Sequence, residues 1–272
     1  MWCDAHNHLH DHRLDPFRPE LMRQLPLAGI TAAVVNGTEP ADWPAVAALC
    51  EAHSWLLPSF GLHPWRVPQR PDSWLTALDT LLLRFPRAAV GEIGLDAWIE
   101  GHDLADQATV LAAQLELATA HQRPATIHCV RAWEPLRQFI RSHPMPPRGF
   151  LLHAFSGPAS LIPFFVEHGA FFSFSPCFLH PRKAKARDAF QLIPRDRILL
   201  ETDAPDLAPP MEAGPWTFPN GAHNPLSLPA TAQTLAHDLA ISPEDLAALT
   251  TANFLRLFGP PRTRDSPRSE LT

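Results

Sequence analysis

Short apolar segments rich in β-branched and aromatic residues alternate with longer segments of helical periodicity along almost the whole chain. Eight of the short segments predict strands: Trp2–His8, Ile30–Asn36, Trp55–Leu62, Ala88–Leu95, Ala125–Val130, Phe150–Phe155, Ala170–Phe174 and Ile198–Asp203. The longer segments predict helices: Ala41–His53, Trp74–Phe85, Asp103–His121, Trp133–His143, Leu161–His168, Lys183–Leu192 and Pro243–Phe258. Eight strand–helix repeats in about 250 residues are typical of a (β/α)₈ TIM barrel.

The alternation therefore predicts one α/β barrel domain over residues 1–259, with residues 260–272 as a polar, disordered tail. A doubly wound open sheet is the structural alternative. No glycine-rich phosphate loop of the G-x-G-x-x-G or G-x-x-x-x-G-K-[ST] kind follows any predicted strand, which removes a common reason to prefer that alternative.

The composition limits the function classes. The net charge is −6 and the isoelectric point is about 6.2, which argues against a protein that coats nucleic acid through bulk basic charge. It does not exclude a nuclease, because bound metal ions can supply local positive charge. No signal peptide or transmembrane segment is visible and the four cysteines are scattered, so we expect a cytoplasmic protein without an obligatory protein partner.

Metal-ligand side chains stand at the ends of several predicted strands. His6 and His8 lie two residues apart in the first strand, so both imidazoles point to the same face. Further such residues end other apolar runs: Glu92, His128, His153 and Asp203. Active sites of TIM barrels lie where the strands end, and a shared metal removes the cost of burying these groups there. The alternative is six separate polar residues, each satisfied locally.

Four histidines and two carboxylates are too many for one tetrahedral metal site with an open position. They suit two divalent ions that share a bridging group. Many two-metal barrels bridge with a carbamylated lysine, but both lysines of this chain follow strand seven, which leaves Glu92 as the bridge. We expect His6, His8 and Asp203 on one ion, His128 and His153 on the other, and Glu92 on both.

Two metal ions about 3.5–4 Å apart stabilise the attacking and leaving oxygens of an in-line displacement at phosphorus. A metal-bound water loses a proton near neutral pH and becomes the nucleophile, and Asp203 is the candidate base. Imidazole-rich ligation favours zinc or manganese over magnesium. The residues thus predict a metal-dependent hydrolase of phosphodiester bonds.

Several stretches together resemble the TatD family of metal-dependent deoxyribonucleases. They occur in the family's order and are Asp4-Ala5-His6-Asn7-His8, Gly61-Leu62-His63-Pro64, Gly91-Glu92-Ile93-Gly94-Leu95-Asp96, Ile127-His128, His153-Ala154-Phe155-Ser156-Gly157, Glu201-Thr202-Asp203-Ala204-Pro205, and Asn253-Phe254 with Leu257-Phe258-Gly259. The resemblance implies a TIM-type barrel, two divalent metals and DNA as substrate. It assigns the same six ligands and gives Asp203, Glu92 and His63 catalytic roles, with His63 near the phosphate or behind the ligands.

Some positions depart from the family's pattern. Val130 stands where the family often has an arginine, Trp65 where a second histidine is common, and His223-Asn224-Pro225 where an Asn-Glu-Pro segment is usual. The departures leave the metal centre intact but change the expected substrate contacts. The candidate contacts are Arg131, Ser156, Arg182, Lys183 and Lys185.

The basic segment from Pro181 to Arg187 could meet a nucleic-acid backbone or form a solvated helix start. Trp65, Trp98 and Trp133 could stack bases or pack inside the fold. The departures keep two other functions open. One is hydrolysis of a different bond, such as an aminoacyl-tRNA ester, a small phosphoester or a cyclic amide. The other is a non-catalytic metal-binding module.

Overall fold

The computed structural model describes residues 1–261 and contains an eight-stranded parallel sheet whose strands lie side by side in chain order. The strands are β1 (Trp2–Asn7), β2 (Ile30–Asn36), β3 (Leu56–Phe60), β4 (Ala89–Asp96), β5 (Ala125–Val130), β6 (Phe150–Leu152), β7 (Ala170–Phe174) and β8 (Ile198–Leu200). All eight predicted strands are present, and the TIM-barrel prediction is confirmed. The predicted tail from residue 262 onward lies outside the described residues.

Nine α-helices lie among the described residues: α1 (Arg18–Leu27), α2 (Trp43–Ala52), α3 (Trp74–Arg84), α4 (Leu104–Ala120), α5 (Trp133–Ser142), α6 (Ile162–Glu167), α7 (Ala184–Ala189), α8 (Leu228–Asp238) and α9 (Pro243–Phe258). Helices α1 and α8 were not predicted from the sequence, and both contain proline. In each helix a proline stands in the first turn, where the backbone N–H has no intrahelical partner to lose.

Four strands are shorter than predicted: β1 ends one residue early, at Asn7, and the others are β3, β6 and β8. β6 ends at Leu152 and β8 ends at Leu200, so His153 and Asp203 lie in the loops that follow rather than in the strands. Ala154 and Asp203 adopt left-handed backbone angles, with φ of 43° and 55°, which cannot continue a β-strand. β3 is likewise confined to Leu56–Phe60. Both chemistry-bearing side chains therefore sit at the turn where the chain leaves the sheet.

The barrel has an apolar interior that is closed at one end. A cluster of buried residues joins seven of the eight strands to Phe254, Leu257 and Phe258 of α9. Buried residues from seven strands can meet one another only inside the barrel. The three α9 residues belong to this interior cluster, so α9 closes the end of the barrel at which the cluster lies. The second, larger apolar cluster packs the outer faces of the strands against the surrounding helices. The open end is the one where the strands finish.

Hydrogen bonds between the ends of β1 and β8 close the barrel. The N–H of Asp203 donates to the carbonyl of His6 (2.9 Å), and the N–H of His8 donates to the carbonyl of Ala204 (2.7 Å). The buried carboxylate of Asp4 accepts from the main-chain N–H and the hydroxyl of Thr202, at 3.0 and 2.6 Å. The closure therefore fixes His6, His8 and Asp203 relative to one another.

β4 and β5 approach closely at Gly94. A Cβ on this residue would lie 2.0 Å from the carbonyl oxygen of His128, and its φ of +147° disfavours other residues. Only glycine fits this contact, which brings the strand that carries Glu92 against the strand that carries His128. The close packing of β4 against β5 thus explains why the second glycine of the Gly91-Glu92-Ile93-Gly94 stretch is a glycine.

Among the described residues, no helix has both the length and the apolar character needed to cross a membrane.

Replacing Gly94 by alanine should destabilise the barrel far more than the same change at Gly101. Gly101 also has positive φ, at +73°, but a Cβ there meets no atom within 4 Å. We expect Gly101→Ala to cost about 1 kcal/mol of unfolding free energy through backbone strain alone, and Gly94→Ala about 3 kcal/mol or more. Urea denaturation of both variants measures the difference. Equal costs would contradict the close approach of β4 and β5.

Candidate metal centre

His6 and His8 lie together at the end of β1, as the two-residue spacing predicts. Nε2 of His6 is 3.3 Å from Oδ1 of Asp203 and 3.4 Å from Oε2 of Glu92. Nε2 of His8 lies 3.4 Å from the same Asp203 oxygen and 3.3 Å from the same Glu92 oxygen. All four residues are buried. Two imidazoles and two carboxylate oxygens thus surround one small space.

These separations match the edges of a tetrahedral metal site. An ion with ligand bonds of about 2.0–2.1 Å places its ligand atoms roughly 3.3–3.4 Å apart. Two of the atoms that face this space, His6 Nε2 and Asp203 Oδ1, are buried without a hydrogen-bond partner. Buried polar atoms normally have partners. His6, His8 and Asp203 therefore form a candidate cation site, with Glu92 as its fourth neighbour.

The other oxygen of Glu92 faces a second group of histidines. Oε1 lies 2.9 Å from Nδ1 of His128, 2.8 Å from Nε2 of His153 and 3.4 Å from Nε2 of His63. The two imidazole nitrogens of His128 and His153 are themselves 3.2 Å apart. The six predicted ligands converge, and the two oxygens of Glu92 divide the other five into two groups.

The charges of the cluster depend on one another. Burial raises the pKa of Glu92, but the facing imidazoles of His153, His63 and His6 outweigh burial and hold that pKa well below its usual value. Burial lowers the pKa of His8 and of His153, but the carboxylates beside them raise both pKa values well above the usual one. Without a cation, His8 and His153 thus hold protons that offset the buried carboxylates.

Three of the predicted histidine ligands have a polar group on the side of the ring away from the cluster, and this group sets the orientation of the ring. Nδ1 of His8 lies 2.7 Å from the carbonyl oxygen of Asn36, which only accepts, so Nδ1 carries a proton and Nε2 is the nitrogen left to bind a cation. Nε2 of His128 lies 2.9 Å from Oδ2 of Asp96, so for this ring Nδ1 faces the cluster. Nδ1 of His153 points towards Glu201, at 3.8 Å. Supports of this kind fix the rings of metal ligands.

His63 differs from its neighbours. Its Nδ1 accepts the main-chain N–H of Trp65 at 3.1 Å, so the neutral ring carries its proton on Nε2, the atom that faces Glu92. Burial lowers the pKa of His63 to about 4, which keeps the ring neutral near pH 7. His63 therefore presents a donor to the cluster, although its position would also allow it to join a metal site with Glu92 and His128.

The candidate substrate contacts lie outside the cluster. Arg131, Ser156, Arg182 and Lys185 are exposed and Lys183 is half-buried. Arg131 adopts a φ of 55° and places its guanidinium 5.6 Å from the ring of Trp98. Among the described residues, no ion pair holds the three basic residues at 182, 183 and 185, whereas Arg187 in the same segment pairs with Asp238.

The three tryptophans have different environments. Trp98 and Trp65 are 61% and 45% exposed, whereas Trp133 packs edge-on against Phe155 and covers Gly157. The packing interpretation therefore holds for Trp133. Of the departures from the family pattern, His223 is buried and bonded to Asp206 and Ser227, so it stabilises its own loop rather than facing the cluster.

The residues behind the ligands were not predicted from the sequence. Asp96 and Glu201 are fully buried carboxylates, and Asn36 supports His8 through its main chain. Asp96 and Glu201 both lie in stretches quoted for the family resemblance, which was the available signal. Neither spacing nor composition indicates that these side chains lie behind particular histidines.

An eight-stranded barrel that holds a buried His/Glu/Asp cluster at its open end is the arrangement of a metal-dependent hydrolase. The profile of the family described as TatD related DNase matches residues 3–259, and the chain belongs to this family. This confirms the resemblance inferred from the motifs.

Similar proteins agree with this assignment. An uncharacterized metal-dependent hydrolase of Escherichia coli, YjjV, is 34% identical over 66% of this chain and 70% of its own length. Its crystal structure superposes with a TM-score of 0.88 at 28% identity, covering 96% of this chain and 98% of that one. The 3'-5' ssDNA/RNA exonuclease TatD of Escherichia coli is 29% identical over 85% of this chain and 89% of its own length.

Metal binding to the apo protein should release protons and tighten as pH rises. The pKa values of His8 and His153 are raised, so both rings are protonated below those values and an incoming cation must displace the protons. We expect the apparent Zn²⁺ affinity, measured by competition with a chromophoric chelator, to be at least about tenfold higher at pH 8 than at pH 6.

Calorimetry in two buffers of different ionisation enthalpy should detect the released protons. The exposed His237 provides a control, and His237→Gln should leave the pH dependence unchanged. An affinity that stays constant between these pH values would contradict a site in which protonated histidines compensate the carboxylates.

Proposed function

We propose that this chain is a two-metal phosphodiesterase that cleaves DNA, acting on ends or on single-stranded regions. The observation that carries this proposal is the division of the cluster by Glu92, whose two oxygens face two separate groups of ligand atoms. A carboxylate in that position suits a bridge between two ions. Two-metal sites of this kind act on phosphate esters.

We assign His6, His8 and Asp203 to one divalent ion, His128 and His153 to a second ion, and Glu92 to both. The unpartnered atoms of His6 and Asp203 support the first site, and the convergence of His128 and His153 on one Glu92 oxygen supports the second. The imidazole-rich set favours zinc or manganese, with magnesium as the third candidate. When bound, the ions would activate a water molecule as nucleophile and offset charge on the phosphate.

Asp203 is the proposed base. Burial raises its pKa, but the imidazoles of His6 and His8, which face it at 3.3 and 3.4 Å, outweigh burial and hold the pKa well below its usual value, so the carboxylate is ionised and can accept a proton. Its side chain is 9% exposed, at the open end of the barrel. Asp203 thus combines a position among the ligands with access from the side where a substrate would enter.

His63 is the proposed donor to the substrate. Its Nε2–H points into the cluster at Glu92 and its ring is neutral, so it can donate a hydrogen bond to a phosphate oxygen without adding charge. Arg131, Ser156, Arg182, Lys183 and Lys185 are the proposed contacts to the rest of the strand. The absence of ion pairs for the last three, within the described part of the chain, leaves their charges available to phosphates.

Nucleic acid as substrate is supported by the names of relatives. One is named as a 3'-5' exonuclease of single-stranded DNA and RNA, and a human relative, 26% identical over 94% of this chain and 93% of its own length, is named deoxyribonuclease TATDN3. A second candidate function is hydrolysis of another ester or of a cyclic amide. It is favoured by Val130, which offers no donor beside His128, and by Arg131, whose charge lies against Trp98.

One purified preparation should be compared on single-stranded DNA, duplex DNA, RNA, aminoacyl-tRNA and small esters. We expect metal-dependent release of nucleotides from DNA that stops on chelation and returns with Zn²⁺ or Mn²⁺. Hydrolysis of aminoacyl-tRNA or small esters alone would replace the proposal with the second candidate. A metal-loaded protein that hydrolyses nothing on this panel would indicate a binding module instead.

Asp203→Asn should abolish most turnover while metal stays bound, because the amide retains a ligand oxygen but cannot accept the proton. We expect the rate of DNA cleavage to fall by roughly 10²–10⁴-fold. The control is Asp188→Asn, a change at an exposed position of α7. Elemental analysis should give the same metal content for both variants, and unchanged cleavage by Asp203→Asn would remove this residue from the mechanism.

A further inference from the structure

A carboxylate outside the ligand set lies directly behind His128. Oδ2 of Asp96 is 2.9 Å from Nε2 of His128, on the side of the ring away from Glu92. Oδ1 accepts the main-chain N–H groups of Trp98 and Ile99 at 2.6 and 3.2 Å. Asp96 is fully buried, so both of its oxygens are held in place by the protein itself.

Trp65 provides a further donor to the same carboxylate. Its indole Nε1–H donates to Oδ2 of Asp96 at 2.8 Å, and its main-chain N–H donates to Nδ1 of His63 at 3.1 Å. Trp65 therefore supports His63 directly and His128 through Asp96, and the ring centres of these two histidines lie 4.5 Å apart. The indole N–H can only donate and does not ionise, so it cannot reverse its role.

The two histidines consequently present opposite faces to the cluster. An ionised carboxylate only accepts, so Nε2 of His128 donates a proton to the hydrogen bond with Asp96, and Nδ1, 2.9 Å from Glu92, is the nitrogen left to bind a cation once a cation displaces its proton. A main-chain N–H only donates, so Nδ1 of His63 is unprotonated and Nε2–H points towards Glu92. A neutral imidazole has one proton, and its position decides whether the ring can bind a cation or donate to a substrate.

We propose that Trp65 and Asp96 are a pair of positioning residues that fix His128 as a lone-pair ligand and His63 as an N–H donor. The proposal rests on the proposed function, in which His128 binds a cation and His63 faces the phosphate. It gives a role to a departure from the family pattern, because the tryptophan at position 65 replaces an ionisable side chain with a permanent donor.

Two variants test the pair. Trp65→Phe keeps an aromatic ring and the main-chain N–H but removes the indole N–H. Asp96→Asn keeps the size of the side chain but lets its amide donate to Nε2 of His128, which favours the other tautomer. The matched control is Trp216→Phe, which loses an equivalent indole hydrogen bond of 2.9 Å, to the carbonyl of Ala213.

The direct readout is which nitrogen of His128 keeps its proton in the Zn²⁺-loaded protein, measured by long-range ¹H–¹⁵N correlation spectra and assigned with His128→Gln. We expect the Nε2–H form in the wild-type protein and in Trp216→Phe, and a mixture or the Nδ1–H form in Asp96→Asn. Zn²⁺ affinity should fall by about 10–100-fold in Asp96→Asn, and less in Trp65→Phe. The wild-type Nδ1–H form, or unchanged tautomer and affinity in Asp96→Asn, would overturn the proposal.

Kinetics separate this role from a merely structural one. With a small phosphodiester, both variants should lower kcat more than they raise KM, and thermal unfolding should show that Trp65→Phe remains folded. A Trp65→Phe enzyme with wild-type kcat and Zn²⁺ affinity would remove Trp65 from the pair. If the wild-type protein binds Zn²⁺ but cleaves no phosphodiester, the proposed function fails, while the tautomer and affinity measurements still decide the positioning role.

Discussion

The structure depends on one buried carboxylate, that of Glu92, whose negative charge must be compensated by groups that face each of its two oxygens. Glu92 has almost no contact with solvent, yet its two oxygens face five histidines at distances between 2.8 and 3.4 Å. A charge in such surroundings is costly unless it is paired. The barrel brings the partners together because its strands all finish at one end, and the close contact at Gly94 places the strands of Glu92 and His128 against each other.

The histidines around Glu92 are not equivalent, and the groups behind them explain why. A main-chain carbonyl and a carboxylate accept a hydrogen bond from one ring nitrogen of His8 and of His128, whereas a main-chain N–H keeps Nδ1 of His63 unprotonated. The histidines of one cluster thus differ in which ring nitrogen carries a proton, because the groups that hydrogen-bond to them differ. This is the physical basis for separating proposed cation ligands from a proposed substrate donor within one cluster.

The sequence allowed the barrel and the converging residues to be predicted, because both follow from periodicity. Strand–helix alternation determines the fold class, and residues that end apolar strands must meet at one end of a barrel. Strand ends were less accurate: the left-handed backbone at Ala154 and Asp203 depends on loop packing. The role of Asp96 and the burial of His223 also escaped, since they depend on contacts between distant parts of the chain.

The central claim is that Glu92 bridges two cations, and its most direct test is anomalous diffraction from crystals grown with Zn²⁺ or Mn²⁺. Our account predicts two anomalous peaks per chain, about 3.5–4 Å apart, one beside each oxygen of Glu92. One peak should contact His6, His8 and Asp203, and the other should contact His128 and His153. A single peak, or two peaks that do not share Glu92, would contradict it.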